Sequence, residues 1–289
     1  MQVFVPKTIA EALNILQDLR EKAKIIAGGT DLIPHMRAGS IQFNSLVDIR
    51  LLKLSYIREE TGYIAIGSNT THSDILNSCI IQQNYSALHQ ACQQIAAPPV
   101  RNRGTIGGNL ANASPAADTA PAFLVHNASV IAESTRGVKN ISLDEFFRSP
   151  GKTALDPDEL IVEVHIPVPE KHTSSAFVKM GKRNAMAIAV ASAATQITLD
   201  SDGRISEARI ALGSVAPTPI RATEAEAQLI GRLIDTQAIA SIEYAVNNAA
   251  RPISDIRASA EYRNQIIFIL VKRALLRALE HQNAFIVSE

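Results

Sequence analysis

Between Arg101 and Pro121 the chain reads R-N-R-G-T-I-G-G-N-L-A-N-A-S-P-A-A-D-T-A-P. This stretch is too polar and too rich in small residues for a core element, and too apolar at its ends for a solvated linker. Gly107 and Gly108 lack a Cβ, so a ligand can lie against backbone N–H groups there, and either glycine can take a positive φ. Successive amides pointing into one concavity hold an anion without a cationic side chain. Thr105, Asn109, Asn112 and Ser114 supply short hydrogen-bonding groups, and Asp118 is a carboxylate that can accept from sugar or polyol hydroxyls. A long polyhydroxylated phosphate suits such a stretch. A Gly/Asn/Pro-rich surface loop with no ligand suits it as well, and these residues alone do not separate the two.

A second segment tips the balance. Lys24 to Leu32 reads as a short buried strand running into a Gly-Gly turn, with Thr30 or Asp31 capping the next element. One glycine pair after a strand is weak evidence. Two pairs, each followed by hydroxyl or amide residues, point to a diphosphate gripped from both sides in a cleft.

Together, A-G-G-T-D-L (27–32) and R-N-R-G-T-I-G-G-N-L (101–110) with A-S-P-A-A-D (113–118) resemble the flavin-binding subunit, or medium chain, of molybdenum-containing hydroxylases. That family includes the flavoproteins of bacterial xanthine, nicotinate and carbon monoxide dehydrogenases. The likeness extends through G-S-N-T-T-H-S-D-I (67–75), P-D-E-L-I-V-E-V-H-I-P (157–167), S-A-F-V-K-M-G-K-R-N-A-M-A-I-A (175–189), L-G-S-V-A-P-T-P-I-R-A (212–222) and Y-R-N-Q (262–265). It implies FAD held between two N-terminal subdomains, with its pyrophosphate on both glycine pairs. Ile26, Ala27, Gly28, Gly29, Thr30, Asp31 and Leu32 then form the first phosphate loop. Thr105, Gly108, Asn109, Ser114 and Asp118 match family FAD contacts, Ile161 falls near the isoalloxazine, and Lys182 or Arg183 near the flavin end. Two positions depart from relatives: Ile95 stands where animal xanthine oxidoreductases stack an aromatic, and Ala187 where many bacterial relatives have Asp.

The fold implied is α+β: a two-subdomain FAD-binding module of the PCMH/vanillyl-alcohol-oxidase type, followed by an antiparallel sheet with helices like the carbon monoxide dehydrogenase flavoprotein C-terminal domain. The expected division is 1–172, with subdomains of about 1–54 and 55–172, and then 173–289. Implied partners are a molybdopterin-binding large subunit and a [2Fe-2S] small subunit, with NAD+ or another molecule as acceptor. A stand-alone FAD oxidase or reductase, and a scaffold that has lost the cofactor, are the competing readings.

The residue pattern supplies elements that could position these groups. Val3 to Val5 reads as a strand, and Thr8 caps a helix with Ile9, Leu13, Leu16 and Leu19 on one face. Strands come next at 24–27 and 45–49, so the opening alternates like a small α/β unit. Hairpins are expected at 57–60 with 63–66 and at 130–133 with 138–141, a short helix after Thr71, and a longer helix at 86–97 stopped by Pro98-Pro99. A long strand spans 159–168. The chain turns polar at 171–175, a natural boundary. Beyond it lie strands at 177–180, 187–199 and 205–212, with Asp200 to Gly203 as a turn. Helices at 223–232, 236–250 and about 259–281 end the chain, the last presenting Ile266, Ile267, Leu270, Ala274, Leu275 and Leu279.

Bulk properties exclude several classes. Lys plus Arg equals Asp plus Glu at 28 each, so no strong field recruits nucleic acid or anionic lipid. No basic stretch and apolar h-region opens the chain and the small-apolar run 185–194 is too short to span a bilayer, so a cytoplasmic protein is expected. That run reads as core. Cys79 and Cys92 read as buried spectator thiols, too few for an iron–sulfur cluster. No H-E-x-x-H pair is present. Gly151-Lys152-Thr153 mimics the end of a P-loop, but position 145 is Glu. His72 follows two threonines in a turn, which suits a cap or surface residue better than a place near the cofactor. No catalytic side chain is needed, because a flavin carries its own chemistry.

Overall fold

The computed structural model describes residues 1–286, and the side chains of residues 1–280. β1 (Gln2–Phe4) leads through α1 (Ile9–Leu19) to β2 (Ala23–Ile26), and α2 (Leu32–Arg37) leads on to β3 (Ser45–Asp48). The Thr8 hydroxyl accepts from the Glu11 amide, and Ala12, Leu13 and Leu16 form the buried face of α1, as its apolar spacing requires. β3 lies between β1 and β2, parallel to both. The turn carrying Gly28 and Gly29 therefore leaves the carboxyl end of a parallel sheet, the usual place for ligand loops.

The next unit opens with the hairpin of β4 (Ile57–Glu60) and β5 (Tyr63–Gly67). Six helices come after it: α3 (His72–Asn77), α4 (Cys79–Asn84), α5 (Ser86–Gln93), α6 (Pro98–Arg101), α7 (Ile106–Ala111) and α8 (Thr119–Val125). The unit continues with the hairpin of β6 (Ser129–Ser134) and β7 (Gly137–Ser142), α9 (Leu143–Phe146), the short pair β8 (Phe147–Ser149) and β9 (Lys152–Thr153), and β10 (Leu160–Pro167). The sheet order is β4-β5-β10-β6-β7, every pairing antiparallel.

β10 joins the two cores. Ile161, Val164 and Ile166 belong to the core under α7 and α8, whereas Leu160 and Val162 pack with Leu16 and Val47 of the first unit. A bulge between Ile161 and Glu163 makes this possible by adding a residue that turns the strand's faces.

Thr71 opens α3 as expected, through a reciprocal capping box with Asp74. Thr71→Ala is expected to lower stability by about 1 kcal/mol in chemical denaturation. The helix expected at 86–97 stops earlier, at Gln93. Pro98 holds Ala97 extended, and Ala96 takes φ +39 to reach it. The 101–121 stretch ends in a core element after all. Every residue of α8 from Thr119 to Val125 is buried, because small side chains let this helix sit deep against its neighbours.

The last unit is a four-stranded antiparallel sheet of β11 (Thr173–Gly181), β12 (Ala189–Leu199), β13 (Ile205–Gly213) and β14 (Ile220–Arg221), in that order. Its helices are α10 (Thr223–Leu229), α11 (Thr236–Ser241), α12 (Glu243–Ala249) and α13 (Ala260–Ile286). α13 lies across β11 and β12 and buries Ile266, Ile267, Leu270, Ala274 and Leu275. The helix expected at 236–250 is two helices, broken at Ile242, whose side chain is fully buried at the bend. The run 185–194 is core only from Ala189 onward. Met186 and Ile188 are 56% and 64% exposed in the β11–β12 loop, where Met186 takes φ +54. Among the described residues no helix is long and apolar enough to cross a membrane.

Candidate functional site

The two glycine-bearing stretches meet backbone to backbone. A Cβ on Gly28 would fall 1.8 Å from the Arg103 carbonyl oxygen and 3.1 Å from Gly104 Cα. Gly29 turns the chain at φ +73, and Ile26 and Ile33 pack beneath it. Thr30 and Asp31 are exposed, Ala27 and Leu32 half-buried, and Ile26 buried at the end of β2. Asp31 occupies the cap position of α2, but its side chain makes no cap bond and lies 3.7 Å from His35 instead. Among the described residues, none accepts a hydrogen bond from the amides of Gly28, Gly29, Thr30 and Asp31. These donors form an open row at the sheet's carboxyl edge.

The second glycine pair does not form such a row, contrary to the sequence expectation. Neither Gly107 nor Gly108 takes a positive φ. The Gly107 amide donates to Ser68 O at 2.9 Å, the Ile106 amide to Thr70 O at 2.9 Å, and the Gly108 amide to the Thr105 hydroxyl at 3.1 Å. A Cβ on Gly107 would meet Ser68 Cβ at 2.6 Å. Gly107 is therefore small so that α7 can rest on the Ser68 backbone. What this stretch offers a ligand is the exposed backbone of Gly108 and a set of side chains.

Each of those side chains is held by its own local partner. Thr105 caps α7, and Asn109 Oδ1 accepts from the Thr119 hydroxyl at 2.5 Å, tying α7 to the start of α8. The Ser114 hydroxyl accepts from the Ala116 amide at 3.2 Å and shapes the turn before Asp118. Asp118 is buried, and its Oδ2 takes a 2.5 Å bond from Lys179 Nζ, which also donates to Gln94 O at 3.1 Å. The other carboxylate oxygen, Oδ1, is buried with no partner among the described residues. Burial raises the Asp118 carboxyl to about 6, with Lys179 pulling the other way.

Lys179 is the residue that sequence reasoning missed. Its signal was legible, since it is the one charge in the run Ala176 to Met180 of a buried strand. Lys182, expected at the ligand end, is exposed, and its ammonium rests on Ile256 O at 2.5 Å; Arg183 donates to Met186 O at 2.7 Å. Both cations brace the β11–β12 loop. Ile161 lies on β10, which packs against α7, and is 5% exposed.

His72 is neither a cap nor a surface residue. It is buried beside Gly104, with Nδ1 3.8 Å from Cys92 Sγ, and burial followed by the nearby Arg101 charge lowers it to about 4. A neutral imidazole thus fills the space under the second stretch. Cys92 is buried as expected, whereas Cys79 is exposed, because it starts α4 on its solvent side.

Free amides at one turn, amide and hydroxyl side chains along the next, and an orphaned buried carboxylate oxygen fit a dinucleotide. The amides suit its diphosphate, and Asp118 Oδ1 can accept from its hydroxyls.

Comparison with known proteins agrees. Residues 1–169 match the FAD binding domain in molybdopterin dehydrogenase, and residues 176–278 match the CO dehydrogenase flavoprotein C-terminal domain. The xanthine dehydrogenase FAD-binding subunit of Escherichia coli O157:H7 is 36% identical over 275 residues, which cover 94% of each chain. The 6-hydroxypseudooxynicotine dehydrogenase complex subunit alpha of Paenarthrobacter nicotinovorans is 38% identical over 276 residues, 95% of this chain and 93% of that one. A chain of carbon monoxide dehydrogenase from Hydrogenophaga pseudoflava superposes with a TM-score of 0.94 at 34% identity, over 97% and 98% of the two chains. The chain belongs to the family of FAD-binding subunits of molybdenum hydroxylases, and is an oxidoreductase flavoprotein.

Proposed function

We propose that this chain is the electron-transfer subunit of a molybdenum-containing hydroxylase, taking electrons from iron–sulfur clusters of a partner subunit and passing them to NAD+ or another acceptor. The observation that carries this reading is the contact of Gly28 with Arg103 and Gly104, which sets a row of free amides beside the side chains leading to Asp118. Bound FAD supplies the exchange between one-electron and two-electron transfer. Gly28, Gly29, Thr30 and Asp31 hold the diphosphate by their amides, while Ile26, Ala27 and Leu32 fix the turn. Thr105, Gly108, Asn109 and Ser114 line the opposite side. Asp118 accepts from ligand hydroxyls through Oδ1, Lys179 keeps that carboxylate charged and in place, and Ile161 gives an apolar wall. Lys182 and Arg183 shape the β11–β12 loop.

The family resemblance supplies the partners: a small subunit carries the [2Fe-2S] centre and a large molybdopterin subunit carries substrate oxidation. The two cysteines of this chain, short of the four thiolates such a centre usually takes, support that division indirectly. A domain division after residue 172, before β11 begins at Thr173, and a cytoplasmic location are part of the same proposal. The exposed free thiol of Cys79 suits a reducing compartment.

Purified chain should take up one FAD and show the flavin bands in the blue and near ultraviolet. A hydroxylase substrate added to the isolated chain should leave the colour intact, while dithionite should bleach it. Bleaching by the substrate alone would favour a stand-alone oxidase or reductase. A colourless protein that takes up no FAD would end the reading.

A further inference from the structure

Leu212 to Pro217 closes β13 in the last unit, yet it lies against the segment that carries Asp118. The Ser214 amide donates to Pro115 O at 2.9 Å. One residue earlier, a Cβ on Gly213 would fall 2.9 Å from Pro121 Cγ and 2.4 Å from Ser192 Oγ, so the strand end touches the start of α8 directly. Pro115 and Pro121 stand on either side of Asp118 in the chain. The two contacts bracket it.

Ser214 sits at φ +61, a conformation that L residues rarely adopt and that persists only where the surroundings over-determine it. Two donors do so here. Arg263 Nη1 donates to the Ser214 carbonyl at 2.9 Å, and the Arg251 amide donates to the Val215 carbonyl at 2.7 Å. Arg263 is 2% exposed, and its Nη2 bonds Asp255 Oδ1. Arg257 grips the other oxygen of Asp255 at 2.5 and 2.9 Å, which fixes the acceptor. A guanidinium is expensive to bury unless its fork has acceptors in set directions, and those here are Asp255 and the carbonyl of one strained turn.

We propose that Arg263 is a positioning residue for the cofactor site: by holding Ser214 left-handed it keeps the Ser214 amide on Pro115 and so fixes the Ser114–Asp118 segment. The guanidinium reaches that segment only through the two backbone groups of Ser214. Lysine, a point donor on a flexible stem, cannot span Asp255 and the Ser214 carbonyl at once. Glycine at 214 takes a positive φ unaided and keeps both backbone groups, so it needs no holding. This inference rests on the proposed FAD site, and its test separates the two.

The test uses the full chain as Arg263→Lys, Ser214→Gly and the double variant. The readouts are FAD dissociation constants on folded apoprotein and hydrogen exchange of the Ala116 to Asp118 amides. Arg263→Lys should weaken FAD about tenfold, the scale of one lost hydrogen bond, and speed exchange there. Ser214→Gly should bind like wild type, and the double variant should recover most of the affinity. If Arg263→Lys does not fold, Asp255→Asn loosens the same guanidinium and is read the same way. Lower thermal stability with unchanged affinity and exchange would overturn the proposal, as would a double variant no better than Arg263→Lys. If wild type binds no FAD, the cofactor reading fails, and exchange at 116–118 alone decides whether Arg263 orders the segment.

Discussion

Gly28→Ala is expected to strip the protein of FAD while most of the fold survives. The methyl group would sit 1.8 Å from the Arg103 carbonyl oxygen, with the Arg103 carbonyl carbon at 2.6 Å and Gly104 Cα at 3.1 Å. All three are backbone atoms flanked by the bond of the His72 amide to Gly104 O, so no flexible side-chain end can swing aside. The two turns must move apart, and inserting one methylene-sized group into a packed contact costs about 1–3 kcal/mol. Ligand binding suffers more than stability. Hydrogen bonds to a charged group are worth about 1.5–3 kcal/mol each, so displacing two amides from a diphosphate predicts an affinity loss of a hundredfold or more. Equilibrium titration of apoprotein with FAD measures this. Gly62→Ala is the control, because that glycine has φ +85 but open space around it, far along the chain from either turn. It should cost about 1–2 kcal/mol of stability and leave FAD binding alone. Wild-type affinity in Gly28→Ala would mean that the closeness of the two turns does not matter to the ligand.

Much of this arrangement is legible in the sequence wherever a short-range rule governs. Thr8 with Ile9, Leu13 and Leu16, the Thr71 cap, and the hairpins joined at Thr61-Gly62 and Ser134 to Gly137 all depend on residues within a turn or two of one another. The first glycine turn is legible for the same reason, since a strand followed by Gly-Gly specifies its own geometry. The second is not. Whether Gly107 offers its amide to a ligand or gives way to Ser68 depends on a segment forty residues upstream. Small residues serve both purposes, so composition cannot tell a cradle from a close packing contact. The buried position of α8 fails for a related reason: Thr, Ala and Pro read as loop residues until Asn109 and the last sheet enclose them. Pairing of Lys179 with Asp118 links a strand of the last sheet to the start of α8, sixty-one residues away in the chain, and no periodicity announces it. Even so, a lone lysine inside an apolar strand demands a buried acid, and Asp118 was the acid already marked by its neighbours. The chemistry of the site was therefore more legible than its packing.

Lys179→Met should be the most damaging single change outside the glycine turns, and its cost should depend on pH. It removes the cation from a carboxylate that is 7% exposed, leaving a buried charge without compensation, which typically costs about 3–5 kcal/mol. The sign of the pH effect is set by Asp118 itself. Burial raises its carboxyl from 3.8 in the unfolded chain to about 6 in the fold, so the native state binds the proton more tightly. The contribution of Asp118 to stability is then fully present below about pH 4 and is lost as pH rises through about 6. Lys179 opposes that shift, and removing it drives the carboxyl higher and carries the loss further into the alkaline direction. Denaturation midpoints of the apoprotein should therefore differ little between Lys179→Met and wild type at acid pH, with a gap that widens toward neutrality. Asp118→Asn in the Lys179→Met background removes the stranded charge and should close most of the gap at neutral pH, because the pair is coupled. The same double variant should still bind FAD weakly, since an amide in place of Asp118 Oδ1 gives up the charged acceptor that ligand hydroxyls would use. A gap between Lys179→Met and wild type that stays constant across that pH range would show that the lysine acts by packing rather than by holding Asp118 ionised.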